Sequence, residues 1–571
     1  MVKSPGLLCR LRGFACDPSG SVAPLFALAA IPLLICIGAA IDYGRALIVQ
    51  ERMASAADAA GLAIGSWTGL SQAEQKAKAQ LFFNANYKSP MGTASPLEVN
   101  FSGDNIILSA KASVPTTFMR IANIDHLDMH AQATITKKER NIELVMVLDT
   151  TGSMASGGKI TALKSAAKQM VNTLFDGNDS SSTLKIGVVP FAAAVNIGRD
   201  KLNSGWLDLN TYTAANATAD PIPFEDLGQI AGISPLNLYA DGSGSNRLTN
   251  RSWAGCVRER SGGAGAPYEL TDNAPDAGTR TTLWAPYFAP DEPGAASPLS
   301  GSGYSNNYLC DDPAKSWSSC TGTAAYGSGS NAGTCVKNAT GGAGSAFSCT
   351  NTSAASANCD NVRQCLTNKY KSKSVSGTDV GPDFNCPPTA ITAMTSTQAT
   401  VNTAIDALTP KGSTVIPAGL LWGWRLLSPA VPFTEGSAYS DEKYVKAIIL
   451  LTDGENDVNQ ASNGINKSSY NAFGYARNGH LGSANGSNAN ATLDAKTLAV
   501  CSAIKSASGN AGGKEEIRLY TIGFQVTAAS QTLLQACATK PDMFYNSPSN
   551  SQLAAIFQDI AQGLSELRIA R

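Results

Sequence analysis

Residues Ile142 to Ser153, IELVMVLDTTGS, constrain the fold more than any other stretch of this chain. Apolar side chains follow one another with only Glu143 between them, and continuous rather than alternating hydrophobicity marks a strand covered on both faces of a sheet. Asp149 stands where the strand should stop, and a hydroxyl-rich turn then runs into a helix beginning near Gly158. Open α/β sheets place their ligands just outside the carboxyl ends of strands. Asp149, Thr151 and Ser153 fall at i, i+2 and i+4 of a tight turn, so a carboxylate and two hydroxyls can converge on one point. All three are hard oxygen donors, suited to Mg²⁺ or Mn²⁺ and poorly suited to zinc.

Two later stretches complete the pattern. Pro410 to Gly419, PKGSTVIPAG, is a glycine-containing loop carrying Thr414, and Ala447 to Gly454, AIILLTDG, is a second apolar strand ending at Asp453. In this order the three pieces resemble the metal-ion-dependent adhesion site of von Willebrand factor A domains, usually Asp-x-Ser-x-Ser, then a Thr in a Gly-rich loop, then an Asp after another strand. Thr151 stands where that family more often has Ser, which keeps the hydroxyl and adds a methyl. The resemblance implies a metal site of Asp149, Thr151, Ser153, Thr414 and Asp453 holding Mg²⁺ or Mn²⁺, with the acidic pair often acting through water. It also implies an open coordination position filled by an Asp or Glu carboxylate of a protein partner. It covers about Arg140 to Ala194 and Thr397 to Arg571.

A chain of 571 residues is too long for one core and implies several domains. With 43 basic against 44 acidic residues, nothing points to nucleic acid or another polyanion. The three histidines, at 126, 130 and 480, lie in different settings, which argues against His-based metal or relay chemistry. His126 and His130 sit in HLDMHAQATIT, which reads as a strand rather than a helix presenting two ligands.

The N-terminal region carries Lys3, Arg10 and Arg12 against Asp17, and Val22 to Ile41 is uncharged. Some 20 apolar residues span a bilayer as a helix, and the basic flank predicts a cytoplasmic N-terminus with the bulk exported as a single-pass membrane protein. The run exceeds the usual apolar core of a signal peptide, so an uncleaved anchor is expected. Arg45 to Ser66 contains no Pro and is rich in good helix formers, so span and stalk should form one helix of about 45 residues, ~65 Å long. The stretch GSVAPLFALAAIPLLICIGAAIDYGRA resembles the N-terminal region of TadE/TadG-like proteins of bacterial tight-adherence (Flp) pilus systems. That resemblance implies partners in the pilus or secretion machinery and residence in the inner membrane. Pilin-like members of that group are cut before a segment with Glu at its fifth position; Leu25 stands there in this chain, which argues against such processing.

Beyond the anchor, residues 71 to 140 read as a small α+β module: a helix from Gln72 to Asn86, a hairpin of LEVNFS and NIILSAKA about Gly103-Asp104, and MHAQATITK. Helix Lys159 to Phe175 and strand LKIGVVPFA continue the main sheet. Some two hundred residues rich in Gly, Ser, Asn and Thr then interrupt it, with turn signals at Gly262-Gly263 and Gly341-Gly342. Eight cysteines lie there, at 256, 310, 320, 335, 349, 359, 365 and 386, and an even count without Cys-x-x-Cys or His reads as up to four disulfides. Cys501 and Cys537 form a fifth candidate pair, and Cys9, Cys16 and Cys36 should stay reduced. The sheet resumes with helices 397–408 and 416–427 and strand 445–452. After a polar loop at 456–490 come helix 492–506, strand 516–524, helix 531–538, a short strand 543–545 and a last helix 551–569.

The expected organisation is a cytoplasmic N-terminus (1–21), transmembrane helix (22–41), stalk plus small module (42–139), A domain first part (140–194), Cys-rich insert (195–396) and A domain second part (397–571). The fold class is α/β, a doubly wound A domain behind an N-terminal transmembrane helix and a small α+β module. Two functions follow. The first is an exported, membrane-anchored pilus assembly or adhesion protein that binds a partner carboxylate through a divalent metal. The alternative is an exported peptidase or glycosidase with its active site in the insert. The insert has no histidine and no nucleophile-elbow or metalloprotease motif, and its acidic residues, such as Glu225, Asp226, Asp272, Asp311 and Asp312, are not paired, so a non-enzymatic role is expected.

Overall fold

The computed structural model describes residues 22–65, 71–88, 91–102, 105–136, 138–209, 234–244, 247–260, 270–291, 306, 308–309, 370–377, 379–460, 467–476, 481, 486–513, 516–567 and 569–570. The predicted cytoplasmic segment, the Gly103-Asp104, Gly262-Gly263 and Gly341-Gly342 turns, and Cys9, Cys16, Cys310, Cys320, Cys335, Cys349, Cys359 and Cys365 lie outside the described residues, as do His480, Glu225, Asp226, Asp311 and Asp312. The chain divides into two compact units, residues 1–139 with 569–571, and 140–568.

In the first unit, Val22–Gly65 is one helix, α1, of 44 residues. Its two halves obey different rules. Leu25, Phe26, Leu28, Ile31, Leu33 and Leu34 are each exposed by 60% or more, whereas Ala46, Val49, Met53, Ala56, Ala60 and Ile64, spaced by three and four, are buried. The first half is long and apolar enough to cross a membrane. The second half packs on a small antiparallel sheet and on helix α2 (Gln72–Asn86), which starts with a reciprocal cap between Ser71 and Glu74. In that sheet β3 (Asn105–Pro115) pairs with β1 (Thr93–Ala94), β2 (Glu98–Ser102) and β4 (His126–Thr136). His126 and His130 are thus on a strand, as their setting predicts.

The second unit is built on β5 (Asn141–Asp149), the predicted doubly covered strand. Ile142, Leu144, Met146 and Leu148 enter one core with α3 (Lys159–Phe175) and the last helix, and Val145 and Val147 enter the other. β6 (Leu184–Phe191) pairs parallel with β5 on one side. Its other edge continues, antiparallel, through β7 (Val195–Asn196) and β8 (Cys256–Val257), and β9 (Thr392–Thr395) also pairs with β6. The Val145–Val147 core is closed by α5 (Ile416–Leu427), whose residues are all buried, and the core shared with α3 also takes α4 (Gln398–Asp406). Opposite β6, β10 (Tyr444–Thr452) runs parallel to β5, followed outward by β11 (Arg518–Phe524) and β12 (Phe544–Ser547). Helices α6 (Ala489–Asn510), α7 (Ala528–Cys537) and α8 (Asn550–Leu567) complete a doubly wound α/β fold.

The described residues of the insert join the core of the sheet rather than forming one of their own. Tyr239, Trp253, Trp284, Tyr287, Phe288, Tyr308 and Tyr370 join the same hydrophobic cluster as Val145, Val189 and α5. Few aliphatic residues were needed because aromatic rings supply the buried area. The polar loop after β10 behaves alike, burying Tyr470, Phe473, Tyr475 and Leu481 in that cluster. Cys256 is bonded to Cys386 and Cys501 to Cys537, so the insert's first and last cysteines close a loop 130 residues apart. Cys36 is free.

Candidate metal centre

Chain order decides where a ligand can sit. From β5 the chain moves to β6 on one side, and from β10 it moves away on the other, so the gap between the carboxyl ends of β5 and β10 is the switch point of the sheet. Asp149 ends β5, and Asp453 directly follows Thr452 at the end of β10. The parallel register of Leu451 with Leu148 brings the two carboxylates side by side.

Asp149 is fully buried. One carboxylate oxygen accepts the Thr151 N–H (2.8 Å) and the other accepts the Thr452 hydroxyl (2.7 Å). Burial pushes its carboxyl up to about 6, with the neighbouring Asp453 carboxylate as the second cause. Asp453 accepts from Ser153 Oγ at 2.6 Å on one oxygen and from Lys159 Nζ at 2.7 Å on the other. Thr151 Oγ1 and Ser153 Oγ are 2.9 Å apart. Four of the five residues singled out by sequence therefore lie in one connected network, and Ser153 is its exposed member.

Thr414 is brought to the same end of the sheet by its backbone. It exchanges two hydrogen bonds of 2.9 Å with Asp457 in the loop after Asp453, and its own loop is laced to the first turn by Lys411 N–H to Thr150 O (2.7 Å) and Gly152 N–H to Gly412 O (2.8 Å). Asn456 ties the Asp453 loop to the start of α5 by accepting the Ile416 N–H at 2.9 Å. The turn before α3 needs glycine twice, since Gly157 and Gly158 both have left-handed φ, +62° and +71°.

The network holds two residues beyond those five. Thr452 is the second support of Asp149, hidden in sequence because a Thr at a strand end is unremarkable. Lys159 carries a weak signal: a cation as the first residue of a helix opposes the helix dipole, a cost that a nearby anion offsets. Among the described residues no group of three or more His, Cys, Asp and Glu could hold an ion, so a cation here depends on the two carboxylates and the hydroxyls together. The donor set fits a hard divalent cation. Its all-oxygen composition suits Mg²⁺ or Mn²⁺, the pair of adjacent carboxylates lacks full countercharge, and a cationic ammonium already rests on Asp453. Of the five acidic residues named for the insert, Asp272 is the one described, and it accepts the Tyr439 hydroxyl at 2.6 Å.

Comparison with known proteins adds the following. Residues 20–65 match the family described as putative Flp pilus-assembly TadE/G-like. No curated protein matches the chain. Among solved structures, the von Willebrand factor domain of the type V pili tip protein Mfa5 from Porphyromonas gingivalis overlaps with a TM-score of 0.29 at 10% identity, covering 76% of this chain and 97% of that one. The PilB minor pilin from Streptococcus sanguinis gives 0.28 at 12%, covering 83% and 79%. The pilus adhesin SpaC from Lactobacillus rhamnosus GG gives 0.28 at 9%, covering 83% of this chain, which spans about a third (34%) of that adhesin's length.

Proposed function

We propose that this is a membrane-anchored pilus-assembly or adhesion protein whose doubly wound domain binds a protein carboxylate through a divalent metal. The observation that carries the proposal is the juxtaposition of Asp149 and Asp453 at the switch point, joined by Ser153 and backed by Thr151. The pilus context rests on the match of residues 20–65. Asp149, Thr151, Ser153, Thr414 and Asp453 would hold Mg²⁺ or Mn²⁺, and the bound ion would offer an electrophilic open position to an incoming Asp or Glu. The chain's own residues do the rest. Thr452 and the Thr151 N–H fix the Asp149 carboxylate, and exposed Ser153 marks the side open to a partner. Lys159 must yield one oxygen of Asp453 when the ion enters. In this reading the site binds rather than catalyses, since both carboxylates would be engaged by the ion and no activated nucleophile is part of the network. The bulk of the chain lies outside the cytoplasm in this reading, as the basic flank of the span requires.

Mn²⁺ supplies the test. Water-proton relaxation should rise when the protein binds Mn²⁺ and fall when a short glutamate peptide displaces the metal-bound water. Asp453→Ala should remove both responses. Retention of the peptide response in that variant would exclude this site as the seat of recognition.

A further inference from the structure

The small module presents an apolar loop beside the membrane-spanning half of α1. Phe118, Ile121 and Ile124, in the connection between β3 and β4, are 41%, 77% and 40% exposed. Three large apolar side chains on one ten-residue connection are costly in water and call for a cover. The loop is not loose. Buried Asp42 accepts the N–H groups of Thr117 (3.0 Å), Phe118 (2.7 Å) and Met119 (2.8 Å), and Arg45 donates to Thr117 Oγ1 at 2.9 Å.

These bonds set the depth of the loop. Asp42 is the first charge after the uncharged run Val22 to Ile41, whose 20 residues rise ~30 Å, the thickness of a hydrocarbon core. Phe118 packs on the bare backbone of Gly38, where a Cβ would lie 2.7 Å from its Cγ. Gly38 is one turn, ~6 Å, on the membrane side of Asp42. Exposed Ile37 and Ile41 continue the apolar surface from the helix. Asp42 has its charge turned into the loop rather than toward lipid, which is how a carboxylate can stand at this level.

We propose that the loop of residues 117–124 is a second membrane contact, with Phe118, Ile121 and Ile124 inserted at the acyl–headgroup boundary of the leaflet nearest the module. The occupant is lipid because the apolar surface is continuous with that of the span and lies at the depth that interfacial side chains occupy. Arg120 and Asp125 form an exposed ion pair at 3.2 Å, so the ten-residue connection 116–125 has no net charge of its own to seek an anionic surface. Insertion should therefore persist in neutral phosphatidylcholine and at high salt. Such a clamp would fix the tilt of α1 and hold the module against the membrane.

The test uses the full chain in phosphatidylcholine liposomes with lipids brominated at shallow or deep acyl positions, reading the added tryptophan emission over the parent chain. Ile121→Trp should be quenched several-fold more by shallow than by deep bromines. Leu28→Trp, in the span, should be quenched best by deep ones. Gln132→Trp, exposed on β4 and ~20 Å along the strand from the loop, should be quenched by neither. Quenching of Leu28→Trp with none of Ile121→Trp would overturn the proposal, and loss of both would remove the span on which it stands. A blue-shifted, unquenched Ile121→Trp that reverts on dilution into excess lipid would also overturn it, assigning the loop to a second copy of the chain. Ile124→Trp repeats the reading at an independent position, and no metal is needed for any arm.

Discussion

Glu143 and Asp149 are buried carboxylates on the same strand, six residues apart, and they have opposite surroundings. Glu143 is answered on both neighbouring strands at its own register: Lys446 Nζ is 2.6 Å away and Lys185 Nζ 3.6 Å, and Ser437 donates its N–H and its hydroxyl. Burial pulls the Lys446 ammonium down from its usual value, and the Glu143 carboxylate acts against that fall. Asp149 faces a second carboxylate across the same pair of strands, and the one cation in the network, Lys159, sits on Asp453. Charge closed by charge at the amino end is structural. Charge left over at the carboxyl end is what the proposed cation would answer.

The largest effect should come from breaking the closed end. Glu143→Ala leaves Lys446 buried without its counter-charge and should cost about 3–5 kcal/mol in urea unfolding of the purified protein. A loss under about 1 kcal/mol would show that this end is not closed by charge as described.

The open end should respond with the opposite sign. Asp149 has a folded pKa raised to about 6 from an ordinary 3.8, so between those values the folded chain binds more protons than the unfolded one. Metal-free protein should then gain stability as pH falls through 6, with the gain complete near 4. Asp149→Asn should be more stable than the parent at pH 7.5 by up to about 3 kcal/mol, a margin that shrinks as the pH is lowered. A margin independent of pH would contradict the assignment. Because ion and proton compete for the same carboxylate, Mg²⁺ or Mn²⁺ affinity should weaken below pH 6, which calorimetric titration at pH 7.5 and 5.5 would measure.

Lys159→Met sharpens the contrast with a smaller change. It removes the chain's own cation from Asp453 and should tighten Mn²⁺ binding by roughly tenfold, about 1.4 kcal/mol. Weaker binding would mean that Lys159 supports the ion rather than competing with it.

The sequence made the open end more legible than the closed one. Asp149 and Asp453 announce themselves because each ends an apolar run at a strand terminus, and Ser153 because, with Thr151, it repeats a hydroxyl at two-residue spacing after Asp149. Glu143 also interrupts a run, but its lysines are 42 and 303 residues away and only the register of three strands shows that they meet it. Regular elements were read well for the same reason of periodicity: helices 72–86, 159–175 and 416–427 fall where the pattern places them. The insert was not, because irregular chain has no period. Trp253, Trp284 and Tyr287 are buried by where their loops are anchored, by β8 and by the Cys256–Cys386 bond, and not by their spacing. The Phe118 loop leaves no mark in the sequence, because exposure of three apolar residues is a fact of the folded hairpin alone.

The central claim, that the gap between Asp149 and Asp453 takes a divalent cation, is tested most directly by thermal unfolding of the purified protein at pH 7.5 with Mg²⁺, with Mn²⁺ and with chelator. An ion bound only by the folded state contributes about 2.7 kcal/mol at a hundred times its Kd. The melting temperature should therefore rise with either metal, return with chelator, and be insensitive to all three in Asp149→Ala. Identical melting of the parent protein under the three conditions would contradict the claim and leave the doubly wound domain a scaffold without a metal.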